Sequence, residues 1–185
     1  GLLDYIAAFF GCLYAGALAV PSYLPRANRP DSRLQAIIAD SQPTVALTAT
    51  PVLDTLSSAL RYTPHLERVT LIATDQLDEH QASAWHRPLI TPTSTAFLQY
   101  TSGSTAVPKG VMVSHANLMH NLGIIQQANE HSSESRGVIW LPPYHDMGLI
   151  ASFVLPVTLG VPLVLLSPFD WVRAPARLLQ AISPY

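Results

Sequence analysis

Short β-prone apolar runs alternate with stretches of helical periodicity along almost the whole chain, and that rhythm restricts the fold more than any other feature. The opening run predicts a buried helix from Leu2 to about Tyr14, a turn at Gly16 and a buried strand over Ala17–Tyr23. A capped helix is expected after Pro30, with Leu34, Ile37 and Ile38 on one face, then a strand over Thr44–Thr48. Thr50 reads as the N-cap of a further helix, with Pro51 in its first turn and Leu53, Leu56 and Leu60 inward. Arg68–Thr74 predicts a strand, and residues 75–94 a polar surface loop. Strands over Thr95–Tyr100 and Gly110–Val113 follow, then a helix capped by Ser114 and running to about Asn129, with Leu118, Leu122 and Ile125 on its apolar face. The remainder predicts a strand Gly137–Leu141, a helix Met147–Leu159, a strand Pro162–Leu166 and a helix Trp171–Ile182. Strands and helices in this order predict an α/β fold, a layered and mostly parallel sheet flanked by helices.

Composition narrows the function classes. Apolar residues make up 49% of the 185 and charged residues 12%, so apolar material exceeds the polar surface available to cover it. That imbalance suggests a piece of a larger protein whose other parts cover some faces. A net charge of −2 provides no basic field and argues against a nucleic-acid partner. The single cysteine, Cys12, allows no internal disulfide and reads as a small core residue. No charge falls between Tyr5 and Pro25, close to the ~20 residues of a membrane span. Gly11, Gly16 and Pro21 interrupt the run, Asp4 opens it and no basic leader precedes it, so neither an integral membrane segment nor a signal peptide is expected. The expected location is the cytoplasm.

Residues 100–111 read YTSGSTAVPKGV. Thr101, Ser102, Gly103, Ser104 and Thr105 place four hydroxyls and a glycine in a loop between two apolar strands, with Lys109 and Gly110 after them. Backbone N–H groups and hydroxyls on a concave loop suit a phosphate chain. Lys109 adds a formal charge and is the only lysine in the chain, the other nine basic residues being arginine. Hydroxyl-rich loops also arise from turn chemistry alone. A Walker-type loop is excluded, because Pro108 precedes the lysine and a strand rather than a helix follows it.

The second cluster is Trp140–Ile150, WLPPYHDMGLI, where a strand ending at two prolines delivers Tyr144, His145 and Asp146. Open α/β sheets bind ligands beyond the carboxyl ends of their strands. Equally, His145 and Asp146 could simply cap the following helix. No other His or Cys lies at metal-ligand spacing.

Together these motifs resemble the adenylate-forming superfamily, which includes acyl-CoA synthetases, peptide-synthetase adenylation domains and luciferases. YTSGSTAVPKGV resembles its phosphate-binding motif, with Ala106 where the family usually has glycine. LPPYHDMGL resembles its next core motif in the form found in fatty acyl-AMP ligases, which feed acyl chains to carrier proteins in polyketide and lipopeptide assembly lines. FFGCLYAGALAVPSY, RLQAIIADSQPTVALT, AFLQYTSGST and VMVSHANLMHNL extend the likeness over nearly the entire chain.

The resemblance implies that ATP, with Mg²⁺, activates a fatty acid to acyl-adenylate and pyrophosphate, and that the acyl group passes to the phosphopantetheine of an acyl carrier protein. A CoA ligase is the alternative within the class, and a non-catalytic phosphate-binding module or an inactive remnant the alternatives outside it. It further implies that Thr101–Thr105 cradle the β- and γ-phosphates, that Thr105 lies nearest Mg²⁺, and that Lys109 screens the leaving pyrophosphate. His145 would approach the reacting carboxylate, with Tyr144, Met147 and Gly148 bordering the pocket. No Tyr-Gly-x-x-Glu, Thr-Gly-Asp or second lysine is present. The chain is therefore expected to be part of the large N-terminal domain, without the small C-terminal domain, and inactive alone.

Overall fold

The computed structural model describes residues 1–24, 31–60, 69–101 and 108–183. They form two compact units, the first reaching His115 and the second starting at Ala116. The fold is α/β. Among the described residues two strand pairs are parallel and one is antiparallel.

In the first unit, helix α1 (Leu2–Ala15) ends at Gly16, whose φ of 66° closes it in the left-handed conformation. Phe9 is its buried residue and meets the fully buried Phe97 edge to face, ring centroids 5.7 Å apart. Leu3 and Tyr14 are exposed, so the helix is only partly buried. Cys12 is half-buried, and desolvation raises its thiol pKa. The strand expected over Ala17–Tyr23 reduces to one bridge, in which Ala19 donates to Ala96 O and accepts from Leu98 N. Pro21 has no N–H to continue the ladder.

Helix α2 (Ser32–Ser41) is capped by Asp31, whose carboxylate accepts from Leu34 N at 3.0 Å and from the Tyr23 hydroxyl at 2.8 Å. Strand β1 (Val45–Thr48) pairs in parallel with β2 (Thr70–Ala73), and helix α3 (Thr50–Leu60) connects them. Thr50 is not the N-cap but the first helical residue. Its N–H and hydroxyl both go to the Asp75 carboxylate, at 2.8 and 3.1 Å, so the cap comes from 25 residues downstream. Residues 75–94 stay largely exposed and include 3₁₀ turns at Thr74–Gln76 and Glu79–Ala84. Trp85 ties this segment to the end of α1 by donating from Nε1 to Tyr14 O. Strand β3 (Thr95–Thr101), which supplies the buried Ala96, Phe97 and Tyr100, pairs antiparallel with β4 (Lys109–Ser114).

In the second unit, α4 (His115–Ala128) buries Leu118 and Leu122 as its period predicts. Strand β5 (Gly137–Ile139) pairs in parallel with β6 (Leu163–Leu165). The stretch expected as one helix over Met147–Leu159 is a π-helix, Met147–Val154, running into α5 (Leu155–Leu159). Pro156 accounts for this. In a continuous α-helix its ring would clash with the carbonyl four residues back, and the wider turn ahead of it relieves the clash. The final stretch divides into α6 (Pro168–Arg173) and α7 (Ala176–Ile182). Ala174, at φ −148° and ψ 77°, is held out of helix by Pro175. Trp171 of α6 stacks on Trp140, centroids 3.7 Å apart and planes within 11°. Among the described residues no helix is long and apolar enough to cross a membrane.

Candidate functional site

In the first unit the hydroxyl loop is carried by a β-hairpin. The register of β3 on β4 runs from Thr95 opposite Ser114 to Tyr100 opposite Gly110 and Thr101 opposite Lys109. Ser102, Gly103, Ser104, Thr105 and Ala106 lie outside the described residues. Lys109, expected inside the loop, is instead the first residue of β4, because Pro108 needs no ladder donor and leaves pairing to begin after it. Thr101 and Lys109 are a cross-strand pair, so their side chains share one face of the ribbon. Both are exposed.

Behind that pair the hairpin is tied to α2. The Tyr100 hydroxyl donates to Asp40 Oδ2 at 2.5 Å, and Arg33 Nη2 donates to the Tyr100 carbonyl at 3.3 Å. A Cβ on Gly110 would lie 2.9 Å from Tyr100 Cζ and 3.0 Å from its hydroxyl oxygen, so only glycine leaves the ring room to cross the ribbon. Burial, then the hydrogen bond and charge of Asp40, push the Tyr100 phenol up to about 12. These contacts span 60 and 67 residues and were not anticipated. A signal was present all the same. Arg33, Ile37 and Asp40 recur at helical spacing, which puts two charges on the face of a buried residue.

In the second unit the prolines after β5 set up a turn in which His145 N donates to Pro142 O at 3.2 Å. Tyr144, His145, Asp146 and Met147 are exposed in succession between buried Pro143 and buried Gly148. Asp146 is the N-cap of the π-helix, its Oδ1 accepting from Met147 N at 2.7 Å. The same oxygen lies 2.6 Å from His145 Nδ1. Met147 N also lies 3.4 Å from Nδ1, but the two shorter contacts satisfy Met147 N and put the imidazole proton on Nδ1. Nε2 is then left free of the Asp146 contact. Of the two readings the sequence left open, ligand contact and helix capping, Asp146 supplies the cap, and the same carboxylate contacts His145. Gly148 lies against the Pro142 backbone: a Cβ there would sit 2.0 Å from the carbonyl oxygen. Among the described residues no group of three or more His, Cys, Asp or Glu could hold a metal ion.

The family model of the AMP-binding enzymes matches residues 2–185. The chain is 39% identical to the medium-chain-fatty-acid–[acyl-carrier-protein] ligase JamA of Moorena producens, over 99% of this chain and 32% of that protein. It is also 39% identical to the long-chain-fatty-acid–AMP ligase FadD32 of Mycobacterium marinum, over 98% of this chain and 29% of the relative. A fatty acyl-adenylate ligase from L. pneumophila, solved in complex with acyl adenylate and pyrophosphate, superposes with a TM-score of 0.88 at 38% identity, covering 98% of this chain and 31% of its own. The chain thus spans about a third of the length of the curated relatives it matches. With a family model matched from the second residue to the last, and motifs held on a hairpin and on a helix-capping turn, this chain belongs to the AMP-binding enzyme family.

Proposed function

We propose that the protein carrying this chain activates a fatty acid as its acyl-adenylate and hands the acyl group to an acyl carrier protein. In the first step a carboxylate oxygen attacks the α-phosphorus of ATP. The new P–O bond forms as the α–β bridge breaks, and pyrophosphate leaves with the electron pair. The 185 residues would form part of the large nucleotide-binding domain, working in the cytoplasm where ATP is available.

The observation that carries this reading is the Thr101–Lys109 pair at the two ends of YTSGSTAVPKGV. It puts a hydroxyl and an ammonium on one face at the mouth of the loop, where Ser102, Gly103, Ser104, Thr105 and Gly110 would join them around the β- and γ-phosphates. Lys109 would screen charge on the leaving pyrophosphate, an effect that counts most where charge develops in the transition state. Mg²⁺, a hard cation that takes oxygen ligands and substrate phosphates, fits the Thr105 hydroxyl as one ligand and would neutralise phosphate charge there. His145, its ring oriented by the Nδ1–Asp146 contact, would stand beside the acyl carboxylate, with Tyr144, Met147 and Gly148 around it. The names of JamA and FadD32 support a fatty acid as substrate, and that of JamA supports a carrier protein as acceptor.

In the intact protein Lys109→Ala should slow fatty-acid-dependent ATP–pyrophosphate exchange tenfold or more, roughly 1.4 kcal/mol of barrier. Unchanged exchange would remove Lys109 from the site. Supplying labelled fatty acid and ATP with either carrier protein or CoA tests the acceptor, and efficient acyl-CoA formation would refute the carrier-protein assignment.

A further inference from the structure

Three contacts converge within one residue of each end of the hydroxyl loop, and all three involve Tyr100. Its hydroxyl is held by Asp40, its carbonyl by Arg33, and its ring fills the space left by Gly110, the neighbour of Lys109. Asp40 and Arg33 are seven residues apart, two turns of α2, and so lie on one face of that helix. The helix is itself anchored at its other end, where the Tyr23 hydroxyl meets the Asp31 cap. A two-stranded ribbon twists and flexes easily when nothing braces it. Here the bracing falls where the strands stop, one residue before Thr101 on one side and one after Lys109 on the other.

We propose that Tyr100 and Asp40 are positioning residues for ATP: through them α2 splints the hairpin and fixes the Thr101–Lys109 pair against the nucleotide's phosphates. This rests on the adenylation reading for the identity of the ligand. Neither residue touches ATP. Tyr100 holds the backbone at both mouths of the loop, directly on β3 and through Gly110 on β4, and Asp40 holds Tyr100. Breaking the tie leaves every proposed phosphate ligand in place and loosens only where they stand. The loss should therefore fall on ATP and not on the fatty acid.

The test uses the intact protein with Tyr100→Phe, Asp40→Ala and the double variant. Tyr100→Phe keeps the ring against Gly110 and removes only the hydroxyl. ATP affinity is measured by titration calorimetry without fatty acid, and KM for ATP and for the best-accepted member of a fatty-acid panel by pyrophosphate exchange. Each single variant should weaken ATP binding and raise its KM by about tenfold, with the fatty-acid KM within about twofold of wild type. The double variant should be no worse than either single one, since both remove the same bond. Thermal midpoints are recorded alongside. Unchanged ATP affinity, whatever the midpoint does, would overturn the proposal, and so would equal losses for both substrates or effects that multiply. If the wild type binds ATP but exchanges no pyrophosphate with any acid, the adenylation reading fails while the calorimetric comparison still decides the splint. A wild type that binds no ATP sinks both.

Discussion

Gly148→Ala tests the packing of the second motif, and its cost can be worked from the structure. The new Cβ would stand 2.0 Å from Pro142 O, 2.8 Å from its carbonyl carbon and 3.4 Å from Leu141 Cβ. Carbon–oxygen contacts settle near 3.3 Å, so the oxygen must retreat by about 1.3 Å. No rotamer can absorb that, because the obstacle is backbone. The backbone is also stiff, since Pro142 and Pro143 both have fixed φ. Pro142 O is, besides, the acceptor for His145 N, so its retreat opens the turn that presents Tyr144 to Met147. The cost belongs at the top of the overpacking range, about 3 kcal/mol. Two controls calibrate it. At Gly137 the obstacle, Leu163 Cδ2 at 2.2 Å, ends a rotatable side chain, so Gly137→Ala should cost about 1 kcal/mol. Gly123, inside α4, has nothing within 4 Å of its Cβ position, and Gly123→Ala should stabilise by about 0.5–1 kcal/mol through helix propensity. Urea unfolding, followed by the near-ultraviolet dichroism of the Trp140–Trp171 stack, reads the midpoint with the slope as a check. A Gly148→Ala midpoint equal to wild type, or ranked with Gly123→Ala, would refute the close-approach argument.

Two predictions concern pH. The Tyr100 phenol is raised from 10.0 to about 12, so its contribution to stability is complete below pH 10 and is lost as pH rises towards 12, where the unfolded chain ionises first. Tyr100→Phe should flatten that part of a stability–pH profile, and an identical slope in the variant would contradict it. The Asp75 carboxyl is lowered, chiefly by the Thr50 N–H, so its contribution is present above the ordinary value of 3.8 and is lost as pH falls below it through the depressed folded value. Asp75→Ala should speed amide exchange at Thr50 near neutral pH, and unchanged exchange there would show that the distant cap does not hold the start of α3.

Elements whose cause is local were legible in the sequence. Leu118 and Leu122 fix the inward face of α4, and Asp31 followed by an apolar period fixes the start of α2. Pro175 was also readable as a break, and passing over it joined α6 to α7. What was not legible depends on partners far along the chain. Thr50 has the composition of an N-cap, yet its own N–H and hydroxyl are both taken by Asp75, which caps the helix in its place. Residues 17–23 have strand composition but, among the described residues, find a pairing partner only at Ala19. At the candidate site the ligand-type residues stood out by chemistry and by resemblance. The face shared by Thr101 and Lys109 became visible only with the β3–β4 register, and the tie to Asp40 only with the helix packed behind it.

The antiparallel ribbon also bears on why a lysine stands at its end. Phosphate loops that run from a strand into a helix place the anion on the helix N-terminus, where several N–H groups and the macrodipole supply a positive field before any side chain is added. Here the chain leaves β3 and re-enters as β4, and strands carry almost no net dipole. Whatever field the proposed site offers must come from amides and hydroxyls of the loop, from the half-buried Arg33 behind Tyr100, and from the exposed formal charge of Lys109. That charge is set in the first residue with a ladder partner, one position after a proline that cannot donate. Its backbone is therefore fixed while its side chain stays in solvent, where a bound polyanion would replace its hydration. A lysine deeper in the strand pair, at exposed Val111 or Met112, would stay hydrated but lie farther from the mouth of the loop. One farther out along the loop would lose the backbone definition that a transition-state contact needs. The position of Lys109 meets both requirements, and under the proposed splint the bracing of Tyr100 by α2 would hold that strand end in place.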